Sequence, residues 1–241
     1  MSALTRKITV EFIGTFLLMF TVGMAVATAG PLAALAIGGV IVVLVFAGGH
    51  ISGGHYNPAI STAVMLRGRL PVRDWSAYVA AQLVAAVLAG LLVSGLDYGP
   101  AAATAVAGSG TMLVVEFLFT FALCYVVLNV ATAKDTESNS FYGLAIGFTV
   151  LAGILATGSV SGGAFNPAVA LGGSVLGGYA WSHIWIYLLA EIVGAAVAAG
   201  AFLLTQPAEE SDAQRSAAAP HGQITQPSGN GASHGAAHAS S

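Results

Sequence analysis

Two nine-residue segments concentrate the polar chemistry of this chain: Ser52-Gly-Gly-His-Tyr-Asn57-Pro58-Ala59-Ile60 and Ser161-Gly-Gly-Ala-Phe-Asn166-Pro167-Ala168-Val169. They agree at Ser, Gly, Gly, the aromatic, Asn, Pro and Ala, and their asparagines stand 109 positions apart. A carboxamide does not ionise. It offers two N–H donors and one acceptor, so the chemistry available is hydrogen bonding to a passing oxygen, not group transfer. The same asparagines are favoured helix N-caps, and Pro58 and Pro167 suit the first helical position, where φ is pre-set and no N–H is orphaned. A helix that begins inside an apolar stretch exposes its free N–H groups and the positive end of its dipole. At membrane depth that is tolerated only where the backbone lines a cavity or is buried in protein. One such asparagine reads as a plain cap; the duplicated pair reads as the two halves of a pore.

Other reactive groupings do not appear in the sequence. There is no nucleophile–base set and no metal-ligand spacing, so neither an enzyme nor a cofactor or metal is expected. The single Cys124 sits in an apolar run and provides no disulfide or redox motif. His221, His234 and His238 are widely spaced in polar sequence and read as solvated side chains, not as ligands. A net charge of −3 gives no indication of nucleic acid as a partner.

The elements that must position the two segments follow from hydropathy. The chain is 56% hydrophobic and only 7% charged, against roughly 25% charged in a soluble domain, so it reads as a polytopic membrane protein. Roughly 20 apolar residues cross a bilayer core. Six stretches reach that length: about 8–29, 32–49, 74–96, 111–132, 141–158 and 179–204. The first is read as a span and not as a cleaved signal peptide. Segments from Asn57 to about Leu66 and from Asn166 to about Val175 are too short to cross and read as re-entrant half-helices. From Gln206 the composition turns to Ala, Ser, Gly, Gln, Pro and His without periodicity, so 206–241 is expected to be a disordered cytoplasmic tail after a channel domain over 1–205. With this topology Arg6, Lys7, Arg67, Arg69, Arg73, Lys134 and Arg215 all fall on one side, which the positive-inside rule makes the cytoplasm.

The halves repeat beyond the asparagine segments. Glu11-Phe-Ile-Gly-Thr-Phe16 parallels Glu116-Phe-Leu-Phe-Thr-Phe121, and Tyr78-Val-Ala-Ala-Gln82 parallels Tyr187-Leu-Leu-Ala-Glu191. Repeats over about 6–97 and 111–205 each hold three spans, an odd number, so the second copy must be inverted in the membrane. Inverted repeats whose broken helices meet near the midplane are a transport architecture. The backbone carbonyls of Gly49 to His55 and Gly158 to Ala164 are expected to line the path, and two facing dipole ends to repel cations and protons. Glu11 and Glu116 lie inside spans, where a carboxylate is costly and marks function or pairing, a proton relay among the options. Gln82 and Glu191 read as helix–helix hydrogen-bonding groups. His50 and His55 are candidates for cytoplasmic gating, or for hydrogen bonding to the loop backbone.

This set of motifs resembles the aquaporin, or major intrinsic protein, family over Arg6 to Leu204. The resemblance implies an all-α membrane protein with six transmembrane helices and two re-entrant half-helices, the aquaporin fold. It implies a homotetramer in the plasma membrane in which every protomer has its own passive pore for water and small neutral solutes. Asn57, Pro58, Ala59, Asn166, Pro167 and Ala168 would form the pore centre. Glu11 and Glu116 would hold the loops by accepting their N–H groups. The family's constriction positions fall on Ile37, Ile154, Gly163 and Val169, and the usual arginine is absent at Val169. An Ile/Ile/Gly/Val ring would be wide, apolar and nearly without donors, which lowers the advantage of water over less polar solutes. Some bacterial aquaporins linked to arsenic resistance also carry Val and Gly here, so neutral metalloids such as arsenous acid or methylated arsenicals are the alternative cargo. Glycerol is less favoured, because Ala170 stands where glycerol facilitators carry Asp. A coupled transporter with Glu11 and Glu116 as its ion site, and a purely structural junction protein, are the competing classes.

Overall fold

The computed structural model describes residues 1–99 and 107–206. The expected tail, with Arg215 and its three histidines, lies outside the described residues apart from Gln206. Eight α-helices are formed among those residues: α1 Ala3–Thr28, α2 Ala33–Ser52, α3 Pro58–Leu66, α4 Val72–Gly95, α5 Ser109–Thr132, α6 Tyr142–Ser161, α7 Pro167–Leu176 and α8 Ile184–Thr205. Six are long and apolar enough to cross a membrane; α3 and α7 are the short ones.

Local chemistry sets the ends. Ser2 caps α1 by accepting from the Thr5 N–H at 3.1 Å. Asn57 and Asn166 cap α3 and α7, with Pro58 and Pro167 at the first position. α2 and α6 stop at Gly53 and Gly162, whose φ of 95° and 94° is left-handed backbone that glycine adopts without penalty. The helices therefore run on through Gly49–Ser52 and Gly158–Ser161, which the sequence reading placed in the loops. The Gly49 and Gly158 carbonyls stay in the helical ladder, accepting from the Gly53 and Gly162 N–H groups at 2.9 Å each. A second difference is Tyr179, expected inside the last span. It lies in a connection after Gly177 at φ 89°, and the helix proper begins at Ile184.

The packing repeats about a two-fold relation between α1–α4 and α5–α8. α1 packs on α4 as α5 packs on α8; α7 sits against α4 and α1 as α3 sits against α8 and α5. α2 and α6 cross one another at Gly38 and Gly147, where a Cβ on Gly147 would stand 2.5 Å from the Gly38 oxygen. Small residues let membrane helices approach this closely, and dispersion over the contact replaces the hydrophobic effect that lipid cannot supply. Ala85, Ala86 and Ala89 of α4 and Ala195, Ala198 and Ala199 of α8 are buried for the same reason. Large apolar side chains such as Val43, Leu118 and Leu155 face outward. At the end of α3, Arg67 donates from Nε to Thr132 Oγ1 at 2.8 Å and from Nη2 to the Thr132 carbonyl at 2.9 Å, over the Phe202 ring. It fastens the short helix to the C-terminal end of α5, where a cation is favoured.

Candidate functional site

Two short connections, 53–57 and 162–166, join α2 to α3 and α6 to α7. In each, three residues take positive φ: Gly53, Gly54 and Tyr56 in the first, Gly162, Gly163 and Phe165 in the second. For the two aromatics this conformation costs on the order of 1–2 kcal/mol each, so the surroundings must hold them. Glu11 and Glu116 do so. Glu11 Oε1 accepts from Ser52 Oγ at 2.7 Å and the His55 N–H at 2.9 Å, and its Oε2 from the Tyr56 N–H at 2.7 Å. Glu116 Oε1 accepts from Ser161 Oγ at 2.5 Å and the Ala164 N–H at 3.1 Å, and its Oε2 from the Phe165 N–H at 2.9 Å. Both carboxyls are fully buried. Tyr78 Oη donates to the Ser52 carbonyl at 2.7 Å, and Tyr187 Oη donates to that of Ser161. The ring of Tyr56 fills a slot left by Gly14 and Gly48, where any Cβ would collide with it.

The asparagines meet as a reciprocal brace. Asn57 Oδ1 accepts from its own helix at the Ala59 N–H, 2.7 Å, while its Nδ2 donates to the Phe165 carbonyl at 2.9 Å. Asn166 Oδ1 accepts from the Ala168 N–H at 2.9 Å, and its Nδ2 donates to the Tyr56 carbonyl at 3.0 Å. Each amide has two N–H groups, so one on each side is left for another acceptor. Pro58, Ala59, Pro167 and Ala168 are buried around the junction.

Both asparagines line one lumen between the helices. Ile37, Ile154, Gly163 and Val169 line it too, so the structure brings all four expected constriction residues to one wall system with the amides. Ile154 and Gly163 adjoin: a Cβ on Gly163 would stand 3.4 Å from Ile154 Cγ1. Val169 N lies 3.4 Å from Asn166 Oδ1, in the first turn of α7. The rest of the lining is largely aliphatic, including Val22, Ile41, Ile60, Ile146 and Val150. The two histidines do not share a site. His55 lines the lumen, is buried, and has Nδ1 3.1 Å from Ser61 Oγ with its ring edge-on to Tyr78. His50 is exposed in the last turn of α2.

Tyr179 is a lumen residue that the sequence reading missed. Its hydroxyl donates to the Gly162 carbonyl at 3.3 Å and its ring packs on Tyr187. The preceding Gly177-Gly178 pair was the available signal, since it ends a helix and leaves Tyr179 in a turn. Among the described residues no group of three or more His, Cys, Asp or Glu is placed to hold a metal ion.

Comparisons with known proteins agree with this geometry. A family model described as "Major intrinsic protein" matches residues 1–202. The chain is 38% identical over 206 residues to glycerol uptake facilitator protein-like 6 of Lactiplantibacillus plantarum, covering 80% of this chain and 95% of that protein. It is 37% identical over 212 residues to aquaporin NIP1-1 of Zea mays, covering 83% of this chain and 74% of the relative. In fold it resembles the aquaglyceroporin of Plasmodium falciparum, with a TM-score of 0.70 at 22% identity over 82% of this chain and 94% of that one.

Proposed function

We infer the working of this protein from one premise: the chain belongs to the major intrinsic protein family, and it is therefore a multi-pass membrane channel for passive solute movement, not an enzyme. We propose that it conducts water together with small uncharged solutes through a wide apolar filter, and that it excludes protons and other ions. The observation that carries the reading is the composition of the lumen wall. Ile37, Ile154, Gly163 and Val169 bring no charge, and the side-chain polar groups beside them are few. A solute passing such a filter loses hydration without gaining matched donors, so discrimination rests on size and desolvation and not on hydrogen-bond complementarity.

At the centre, the free N–H of Asn57 and that of Asn166 donate to the solute oxygen, and the positive ends of α3 and α7 face the same point. Each helix end carries roughly half an elementary charge. A cation or an excess proton at that point is repelled by both ends, whereas a neutral oxygen is oriented by them. Glu11 and Glu116 keep the loop carbonyls and the two amides in register. His55, with its ring beside Ser61 and Tyr78, serves the loop and not a gate. The six described Lys and Arg residues sit in the first two turns of α1, between α3 and α4 or in the first turn of α4, and between α5 and α6. That distribution supports cytoplasmic termini in a plasma membrane. The exposed apolar outer faces suit lipid and a homotetramer, in which each protomer would keep its own lumen.

The test is light scattering of proteoliposomes challenged with water, urea, glycerol, hydrogen peroxide, methylamine and arsenous acid, comparing the native protein with Val169→Arg. The arginine variant is expected to lose the larger solutes by roughly tenfold or more while water changes far less. Identical solute profiles would overturn the filter assignment. Glycerol is a second reading, favoured by the name of the Lactiplantibacillus relative. Glycerol flux above that of urea would establish it, and arsenous acid ranking first would mark a metalloid channel.

A further inference from the structure

The two carboxylates that hold the loops are not equally served. Glu11 Oε2 accepts two hydrogen bonds, from the Tyr56 N–H at 2.7 Å and from Gln82 Nε2 at 2.8 Å. Glu116 Oε2 accepts from the Phe165 N–H alone among the bonds formed at that oxygen. The position that matches Gln82 in the second repeat is Glu191, again 109 residues on. It is fully buried, and neither of its oxygens has a hydrogen-bond partner among the described residues. In the first repeat Gln82 of α4 reaches Glu11 of α1, and Glu191 of α8 packs on α5, which carries Glu116, in the same arrangement.

We propose that Glu191 is a positioning residue, held as the neutral acid and donating its proton to Glu116 Oε2, in the place that the Gln82 amide takes in the first repeat. This rests on the reading of Glu116 as the support of the 162–165 loop. Four observations converge on it. Two ionised carboxyls facing each other inside a membrane protein would repel with little solvent to screen them, whereas one shared proton turns repulsion into a strong charge-assisted bond. The donor count then matches the first repeat, with two bonds at each Oε1 and two at each Oε2. The orphan count matches as well. A protonated Glu191 leaves one unpartnered carbonyl oxygen, and Gln82 Oε1 is unpartnered in the same way. Finally, neighbouring donors are committed elsewhere: Tyr187 Oη to the Ser161 carbonyl, Tyr179 Oη to that of Gly162. The hydroxyls of Thr15 and Thr120 are unpartnered in both repeats, so they do not distinguish the two. Around Gln82 the first repeat adds Ser61 and His55; their counterparts are Ala170 and Ala164, which can donate no side-chain proton. The loop that Glu116 supports carries Gly163 of the filter and the Phe165 carbonyl that receives Asn57. Glu191 thereby reaches the path without touching a solute.

The experiment uses the full chain in lipid vesicles with infrared spectroscopy in D2O and osmotic light scattering in parallel. Native protein at neutral pH should show a protonated carboxyl stretch slow to exchange its proton. Glu191→Gln should abolish that band while keeping water permeability within about twofold of native, because glutamine supplies the N–H that Gln82 supplies. Glu191→Leu, which cannot donate, should lose permeability by roughly tenfold. A native protein without the band, a band that persists in Glu191→Gln, or a Glu191→Leu variant equal to native would each overturn the proposal. Native protein that carries the band yet passes none of the solutes would leave the acid pair standing and remove the channel reading instead.

Discussion

Asn57 does three things at once, and its substitutions separate them. Its Oδ1 caps α3, its Nδ2 braces the opposite loop at Phe165, and the residue lines the lumen. Asn57→Asp keeps the cap, since a carboxylate also accepts the Ala59 N–H and is favoured at a helix N-terminus. It removes both donors and leaves the Phe165 carbonyl without its partner, a cost of about 1–3 kcal/mol. It also sets a negative charge where two positive helix ends meet. Asn57→Asp vesicles are therefore expected to fold with somewhat lower thermal stability, conduct less water, and admit monovalent cations that native vesicles exclude. A pH-sensitive dye inside the vesicles and a potassium gradient across them read this directly; an unchanged cation barrier would remove the dipole account. The cap and the pairing of motifs were legible in the sequence because side-chain type and spacing carry them. The reciprocal bond from each amide to the other loop was not, because it joins atoms 108 and 110 residues apart.

At the scale of elements, the lumen is a gap between helices, so its width follows from how closely they cross. α2 contributes Ile37, Ile41 and Val45 and α6 contributes Ile146, Val150 and Ile154, and the pair touch at Gly38 and Gly147. Gly147→Val would drive side-chain carbons into the Gly38 carbonyl and the Val42 side chain. A cost of about 1–3 kcal/mol is expected from overpacking, with the two helices pushed apart. Gly39→Val is the control, because nothing lies within 4 Å of a Cβ there. Thermal unfolding in detergent should show a fall for Gly147→Val and none for Gly39→Val, and solute permeability should change only in the former. Hydropathy gave the six spans, and the Asn-Pro segments gave the two half-helices, to within a few residues. It could not locate the ends of α2 and α6, since Gly49 and Gly158 read as loop formers while their N–H and C=O groups remain in the helix. Tyr179 was misread for the converse reason, an apolar-looking residue in a turn.

For the whole molecule, inversion of one repeat against the other makes the pore symmetric in plan and different in detail. Gln82, Ser61 and His55 in one repeat correspond to Glu191, Ala170 and Ala164 in the other. A passive channel predicts flux that follows the solute gradient alone, with no response to proton or sodium gradients. Orientation is checked by cysteine substitution. Pro31→Cys, between α1 and α2, should react with an impermeant maleimide added to sealed cells, and Lys134→Cys, between α5 and α6, should react only after permeabilisation. The reverse pattern would invert the assignment of the termini.

The sequence alone determined the class of this protein. Hydropathy set the spans, the duplicated asparagine segments set the half-helices, and an odd number of spans per repeat forced the inversion. These are local properties, written in side-chain polarity and in the conformational preferences of Asn, Pro and Gly. Tertiary structure alone decided which groups serve one another across the repeat. It put Glu11 and Glu116 under the two loops, crossed the amides onto opposing carbonyls, and set Ile37, Ile154, Gly163 and Val169 around one lumen. It also left Glu191 fully buried with neither oxygen partnered among the described residues. Hydrogen-bond complementarity is a property of atoms in space, and a buried acid reveals its need of a proton only when its neighbours are in place.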